Sequence, residues 1–252
     1  MFPEIPPGHG RSPGLTLPPG PPRSRPLHYH YNGTRRRTGV RPSASIRFTH
    51  VAKDALYFLT PLVAAAAAAV WLGWTTAGLV LGVLAVYVVF FFRDPERTVP
   101  SGPGIIVAPA DGRLVRIHPG PDGIEVSIFL SLFDVHVNRS PVEGRVSGVE
   151  YRKGSFHAAF SHLASAENEQ NTLTIANDDL RVTCSQIAGI VARRIVCWKV
   201  PGDTVARGER IGLIRFGSRV DLVIPSSARL QVRTGEKVRA GASVIAIMET
   251  AS

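Results

Sequence analysis

The sequence predicts a mainly β (α+β) domain preceded by a transmembrane helical hairpin. Three observations predict it: an uncharged stretch from Ala55 to Phe92, a series of short Val- and Ile-rich runs beyond Arg93, and an internal echo at an offset of thirty-three residues. The chain of 252 residues is long enough to bury a core. Two cysteines exclude a disulfide-stapled scaffold, and 44% hydrophobic residues exclude a wholly disordered chain.

The net charge of +10 is unevenly placed. Residues 1–50 carry eight arginines against Glu4, which is +7 of the total, together with ten of the twenty prolines. With no apolar periodicity, this segment is expected to be a disordered Pro/Arg-rich extension. Arg35, Arg36 and Arg37 either stay solvated in an upstream extension or touch anionic lipid heads. The remaining +3 removes the basis for a nucleic-acid partner.

The second segment, residues 51–92, contains thirty-eight consecutive uncharged residues, Ala55 to Phe92. One helix of that length would run about 57 Å, nearly twice the roughly 30 Å hydrocarbon core. Two spans, Ala55–Leu72 and Thr75–Phe92, fit better, turning at Gly73-Trp74-Thr75-Thr76; a single tilted span is the alternative. Arg47, Lys53, Arg93 and Arg97 flank the outer ends and the turn has no cation, so both ends are expected in the cytoplasm, with residues 93–252 on the cytoplasmic side of the cell membrane. The length and position of the stretch argue against a cleaved signal peptide.

Beyond Arg93 the runs Gly104–Val107, Arg113–Ile117, Ile124–Leu130, Arg145–Tyr151, Asn171–Ile175, Leu180–Ile187 and Ile190–Val196, broken by Gly, Pro and Asp, predict strands. Ser155–Asn168 reads as loop or short helix. Pro201–Ile211 recurs as Thr234–Val244, and Pro109-Ala110-Asp111-Gly112-Arg113 resembles Pro141-Val142-Glu143-Gly144-Arg145. The first echo, a Gly-acid turn, a valine strand and a second glycine turn, is a hairpin unit like those of lipoyl and biotinyl carrier domains. No lysine lies between Gly212 and Arg233 to carry such a group, which disfavours a modified carrier.

Walker, GxGxxG, HExxH and CxxC patterns are absent, and no metal site is predicted. Cys184 and Cys197, in apolar runs, read as reduced core thiols. Between the two echo units lies Arg215-Phe216-Gly217-Ser218-Arg219-Val220-Asp221. A Gly-Ser pair in a tight turn is either an ordinary turn or a site where the serine hydroxyl attacks the preceding carbonyl, since glycine permits strained backbone and leaves that carbonyl open.

Five blocks decide how that pair is read: Phe91-Phe92-Arg93-Asp94-Pro95-Glu96-Arg97; Pro109-Ala110-Asp111-Gly112; Phe129 to Pro141, which contains Asp134-Val135-His136-Val137-Asn138-Arg139; Glu167-Asn168-Glu169-Gln170-Asn171; and Ile214 to Pro225. In that order, from Phe91 to Met248, they resemble the phosphatidylserine decarboxylase family, closest to its short members. The resemblance implies self-cleavage between Gly217 and Ser218, leaving two associated fragments, 1–217 and 218–252, with Ser218 converted to a pyruvoyl cofactor. It also implies that His136 activates the Ser218 hydroxyl and that Asp111 orients His136, whereas the residues alone leave a turn-capping aspartate and a core histidine open. The family's usual Leu-Gly-Ser-Thr is Phe216-Gly217-Ser218-Arg219 here. Arg139 stands where longer members carry a second histidine, so His136 serves both steps or another group, such as His157 or His162, assists.

The implied reaction decarboxylates phosphatidylserine to phosphatidylethanolamine through a Schiff base to the pyruvoyl ketone, with a protonated His136 returning a proton to carbon. The membrane segment favours a lipid substrate. Arg139, Lys153 and Arg219 are candidates for the phosphodiester, or solvated surface charges. A homodimer is a further expected partner. The alternatives are a decarboxylase of another serine-headed lipid, such as an ether lipid of the archaetidylserine kind, and a non-enzymatic lipoyl-like membrane adaptor.

Overall fold

The computed structural model describes residues 49–155, 167–189, 194–215 and 217–248. The expectations for residues 1–48, for most of the 155–168 loop with His157 and His162, for 190–193 and for Phe216 lie outside these. Two helices, α1 (Thr49–Trp71) and α2 (Thr75–Phe91), precede fourteen strands among the described residues, so the mainly β reading with an N-terminal helical pair is borne out. α1 starts before the first expected segment, Ala55–Leu72, and ends at Trp71, and α2 covers the second, Thr75–Phe92, to within its last residue. The chain reverses at Gly73, whose φ of +79° is a left-handed conformation that glycine adopts without penalty. Gly78 lets the helices approach, since a Cβ there would lie 2.5 Å from Val70 Cγ2. Much of the outer surface of the pair is exposed and apolar, including Leu56, Val63, Leu79, Val83 and Val86. Asp54–Trp71 is long and apolar enough to cross a membrane, and α2 is shorter.

The strands are β1 (Ile105–Val107), β2 (Gly112–Gly120), β3 (Gly123–Leu130), β4 (Val137–Arg139), β5 (Gly144–Arg152), β6 (Gln170–Ala176), β7 (Arg181–Ala188), β8 (Arg194–Cys197), β9 (Thr204–Val205), β10 (Arg210–Arg215), β11 (Ser218–Ile224), β12 (Ala228–Leu230), β13 (Lys237–Val238) and β14 (Val244–Met248). An eight-stranded sheet runs β13-β2-β3-β11-β7-β6-β5-β9, and two three-stranded sheets run β1-β14-β12 and β4-β10-β8. Ile106 and Ile245 from one small sheet and Ile211 and Ile214 from the other join Leu114, Ile128, Leu173 and Leu222 of the large sheet in one buried cluster.

The echoes are structural. Gly112 and Arg113 pair with Val238 and Lys237, as Gly144 and Arg145 pair with Val205 and Thr204. The amide of Gly241 donates to the Ala108 carbonyl as that of Gly208 donates to Ser140. Each small sheet repeats the other, β4-β10-β8 answering β1-β14-β12, and the large sheet reads alike from both ends. One unit, β4 to β10, is continuous in sequence. The other is split around it into β1–β3 and β11–β14, and the Gly217-Ser218 peptide lies where the chain returns from the first unit to the second. β11, which the strand runs did not include, is thus central, flanked by β3 and β7.

A buried set of ions straps the segment after α2 to the strands. Asp94 receives Arg139 at 2.8 Å and also the Nε of Arg210, and Arg139 donates further to the carbonyls of Pro95 and Gly208. Arg97 pairs with Asp111 at 2.7 Å. At the start of α1, Asp54 pairs at 2.6 Å with Arg215, whose guanidinium lies 5.4 Å from the Phe58 ring.

Candidate active site

β10 ends at Arg215, Gly217 turns the chain with φ +59°, and Ser218 opens β11. Ser218 is therefore not inside a turn, as expected from sequence, but the first residue of a strand paired on both sides, with Leu130 and with Ala188. Its side chain is fully buried and its Oγ has no hydrogen-bond partner among the described residues. A Cβ at Gly217 would meet only Leu132 Cδ2, at 3.9 Å, so the backbone conformation and not space is what calls for glycine there.

His136 leads into β4, whose Val137 pairs with Leu213 of β10, and its carbonyl accepts from the amide of Ile214, four residues before Ser218. The ring is buried and lies 4.3 Å, centroid to centroid, from Phe91 at the end of α2, tilted by 35° to it. Nδ1 lies 3.0 Å from the Asp134 carbonyl. A carbonyl can only accept, so the proton sits on Nδ1 and Nε2 carries the lone pair. Nε2 is buried and unpartnered among the described residues. Burial pulls the His136 pKa down to about 4, outweighing the Asp134 carbonyl and carboxylate, so the ring is a neutral base at pH 7. Burial alone would raise Asp134, yet the Ser131 hydroxyl and amide and Lys237 hold its carboxyl below the usual range.

Asp111 is buried in its Pro-Ala-Asp-Gly turn, accepting from the Ala240 amide at 2.8 Å and from Arg97. Burial raises its pKa against both of these partners. Among the described residues its hydrogen-bond partners are Ala240 and Arg97, while Nδ1 of His136 meets the Asp134 carbonyl. Arg139 and Arg219 are not solvated surface charges either: Arg139 is buried, pairs with Asp94 at 2.8 Å and donates to the carbonyls of Gly208 and Pro95, and Arg219 pairs with Asp221 at 2.8 Å inside the fold. Lys153 is exposed.

The sequence reading missed a buried amide chain beside the histidine. Asn171 donates to Gln186 at 3.1 Å and Gln186 to Asn138 at 2.8 Å, leaving Asn138 Nδ2 buried without an acceptor among the described residues. Asn138 lies two residues from His136, and Gln186 pairs across the ladder with Val220, two residues from Ser218. The only sequence signal was the Asn in Val137-Asn138-Arg139, polar within an apolar run. Cys184 is buried, with its thiol pushed up to about 12 by burial, and Cys197 is half-buried with its Sγ 3.3 Å from the Lys199 carbonyl, so neither is an activated nucleophile.

The family model for phosphatidylserine decarboxylase matches residues 84–246. The chain belongs to the phosphatidylserine decarboxylase family. It is 45% identical over 196 residues to the phosphatidylserine decarboxylase proenzyme of Solibacter usitatus, an alignment covering 78% of this chain and 96% of that one. It is 49% identical over 168 residues to the proenzyme of Chlorobium phaeobacteroides, covering 64% and 79%, and 43% identical over 200 residues to that of Cupriavidus pinatubonensis, covering 76% and 90%. For a member of the phosphatidylserine decarboxylase family the site fits a pyruvoyl group made from Ser218: the hydroxyl that would be lost is orphaned and buried, and the backbone carrying it is held by ladders on both sides.

Proposed function

We propose that this chain decarboxylates phosphatidylserine to phosphatidylethanolamine, using a pyruvoyl group that it generates from Ser218. The observation carrying the proposal is the pair of buried, unpartnered atoms, Ser218 Oγ and the basic Nε2 of His136, on segments joined through β10. In self-cleavage, Nε2 takes the Ser218 hydroxyl proton and Oγ attacks the Gly217 carbonyl, which the left-handed glycine leaves open. The acyl group moves from nitrogen to oxygen. Elimination then releases Gly217 as a carboxylate and leaves a dehydroalanine, which water converts to ketone and ammonia. Asp111 supports this geometry through Arg97 and the Ala240 amide, holding β13 and the strap in place.

When present, the pyruvoyl ketone supplies an electrophile for the substrate amine and a sink for the electron pair released with CO₂. A neutral His136 must first gain the proton that the sequence reading has it return to carbon. Its Nε2 accepts the proton that the substrate ammonium must lose, and returns it to the carbon left by CO₂. The small fragment, β11 to β14, is held by pairing to β3, β7, β2 and β1, which supports two fragments that stay associated.

The broad exposed apolar face of α1 and α2 supports reading residues 51–92 as an anchor in the cell membrane, with residues 93–252 at its cytoplasmic face. The glycine turns at Gly202, Gly208, Gly235 and Gly241, all with positive φ, support the likeness of the echo units to carrier-domain hairpins. The test is CO₂ release from phosphatidylserine by the purified chain and by Ser218→Ala. We expect cleavage and CO₂ release in the first and neither in the second; an active, uncleaved Ser218→Ala protein ends the proposal.

A further inference from the structure

Next to the scissile bond the structure holds a feature that the reaction does not use. The turn Ser131-Leu132-Phe133-Asp134 joins β3 to His136 and is rigid: the Asp134 carboxylate accepts from the Ser131 amide at 2.9 Å and the Ser131 hydroxyl at 2.6 Å. Its two tip residues are apolar and exposed, Leu132 by 41% and Phe133 by 71%. Tight turns ordinarily place polar or small residues at such positions. Here both side chains are held out by a fixed backbone.

The turn is docked on the last part of α2. Tyr87 Oη donates to the Leu132 carbonyl at 3.2 Å, and Arg93 donates to the Phe133 carbonyl at 2.5 Å while its guanidinium sits 3.8 Å from the Phe90 ring. Tyr87, Phe90 and Arg93 mark the level at which the uncharged stretch ends and charged sequence begins. Aromatic side chains and the first cations at such a boundary sit at the lipid–water interface. The apolar surface of the helices therefore continues into the turn, and two cations flank it, Arg93 and Lys237, the latter 3.3 Å from Asp134. Leu132 extends this surface to the chemistry, because its Cδ2 is the nearest group to the Gly217 Cβ position.

We infer that the Leu132-Phe133 turn is a bilayer contact that seats the mouth of the active site in the lipid–water interface of an anionic phospholipid membrane, so that a serine headgroup reaches Ser218 without its lipid leaving the leaflet. The inference rests on the decarboxylase reading above and adds the surface through which that site meets its substrate. Phe133 inserts apolar area among the upper acyl segments while Arg93 and Lys237 meet phosphates.

The test compares the mature full-length enzyme with Phe133→Ser and Phe133→Leu on two forms of one substrate. One form is long-chain phosphatidylserine at varied mole fraction in phosphatidylcholine vesicles; the other is dibutyryl phosphatidylserine dispersed as monomers. Phe133→Ser should raise the interfacial KM on vesicles roughly tenfold, with self-cleavage, vesicle kcat and the rate on dispersed substrate kept within about twofold. Phe133→Leu, which keeps most of the apolar area, should stay near wild type on both. Equal rates for Phe133→Ser and wild type on vesicles, parallel losses on both forms, or failed self-cleavage would overturn the inference. Absence of CO₂ release by wild type from either form would instead remove the activity on which it rests.

Discussion

At the scale of single residues, burial keeps His136 neutral. The unfolded chain protonates His136 near 6.5 and the folded chain near 4, so the folded state binds the proton less readily. Its contribution to stability is complete above about 6.5 and is lost as pH falls toward 4. Self-cleavage should accordingly hold its rate down to about pH 5 and fall near 4, as followed by gel analysis of freshly refolded precursor. A midpoint near 6.5 would mean that the working base is not buried. His136→Ala should leave the precursor uncut, and normal processing of that variant would remove His136 from the mechanism. Ser218, His136 and Asp111 could be singled out in the sequence because each sits in a short block whose order along the chain is distinctive. Their partners were not. That Asp134's backbone rather than Asp111 sets the imidazole tautomer depends on how the chain bends after β3. Arg139 looked like a surface charge because its counter-ion, Asp94, is forty-five residues away in sequence.

At the scale of elements, the strap from Arg93 to Pro100 connects the apolar helices to the catalytic strands. Asp94 serves the buried Arg139 and the half-buried Arg210 at once, and removing one member of such a network leaves charges without compensation. Asp94→Ala should lower stability by about 3–5 kcal/mol in urea unfolding of the detergent-solubilised enzyme, and a loss under about 1 kcal/mol would show that the strap is solvated in the working protein. The strands were read well wherever Val and Ile alternate between glycine and proline breaks. β4, three residues ending on the buried Arg139, belongs to the strand-like run around His136. The same logic overlooked β11. β11 carries Arg219 and Asp221 in its interior, and these look like loop residues until their mutual ion pair and the strands on both sides make them buriable.

At the scale of the whole molecule, the echoes seen in sequence are the visible part of a duplication in which one seven-strand unit is inserted into another. The sequence revealed it at the glycine turns, where the backbone restricts residue choice, and hid it along the strands, where any well-packed β-branched residue serves. The Gly217-Ser218 peptide, proposed above as the cleavage site, lies at the return from the inserted unit, and cutting it would remove no strand. The two fragments should therefore co-elute on gel filtration after self-cleavage and separate only in denaturant; a free 218–252 fragment in native buffer would contradict the central placement of β11. The most direct measurement of the central claim is the intact mass of the purified protein's fragments. The expected result is a fragment spanning residues 218–252 that is lighter by one ammonia than the same fragment beginning with serine, and that gains mass on borohydride reduction. A single chain of 252 residues, or a small fragment beginning with unmodified Ser218, would contradict it.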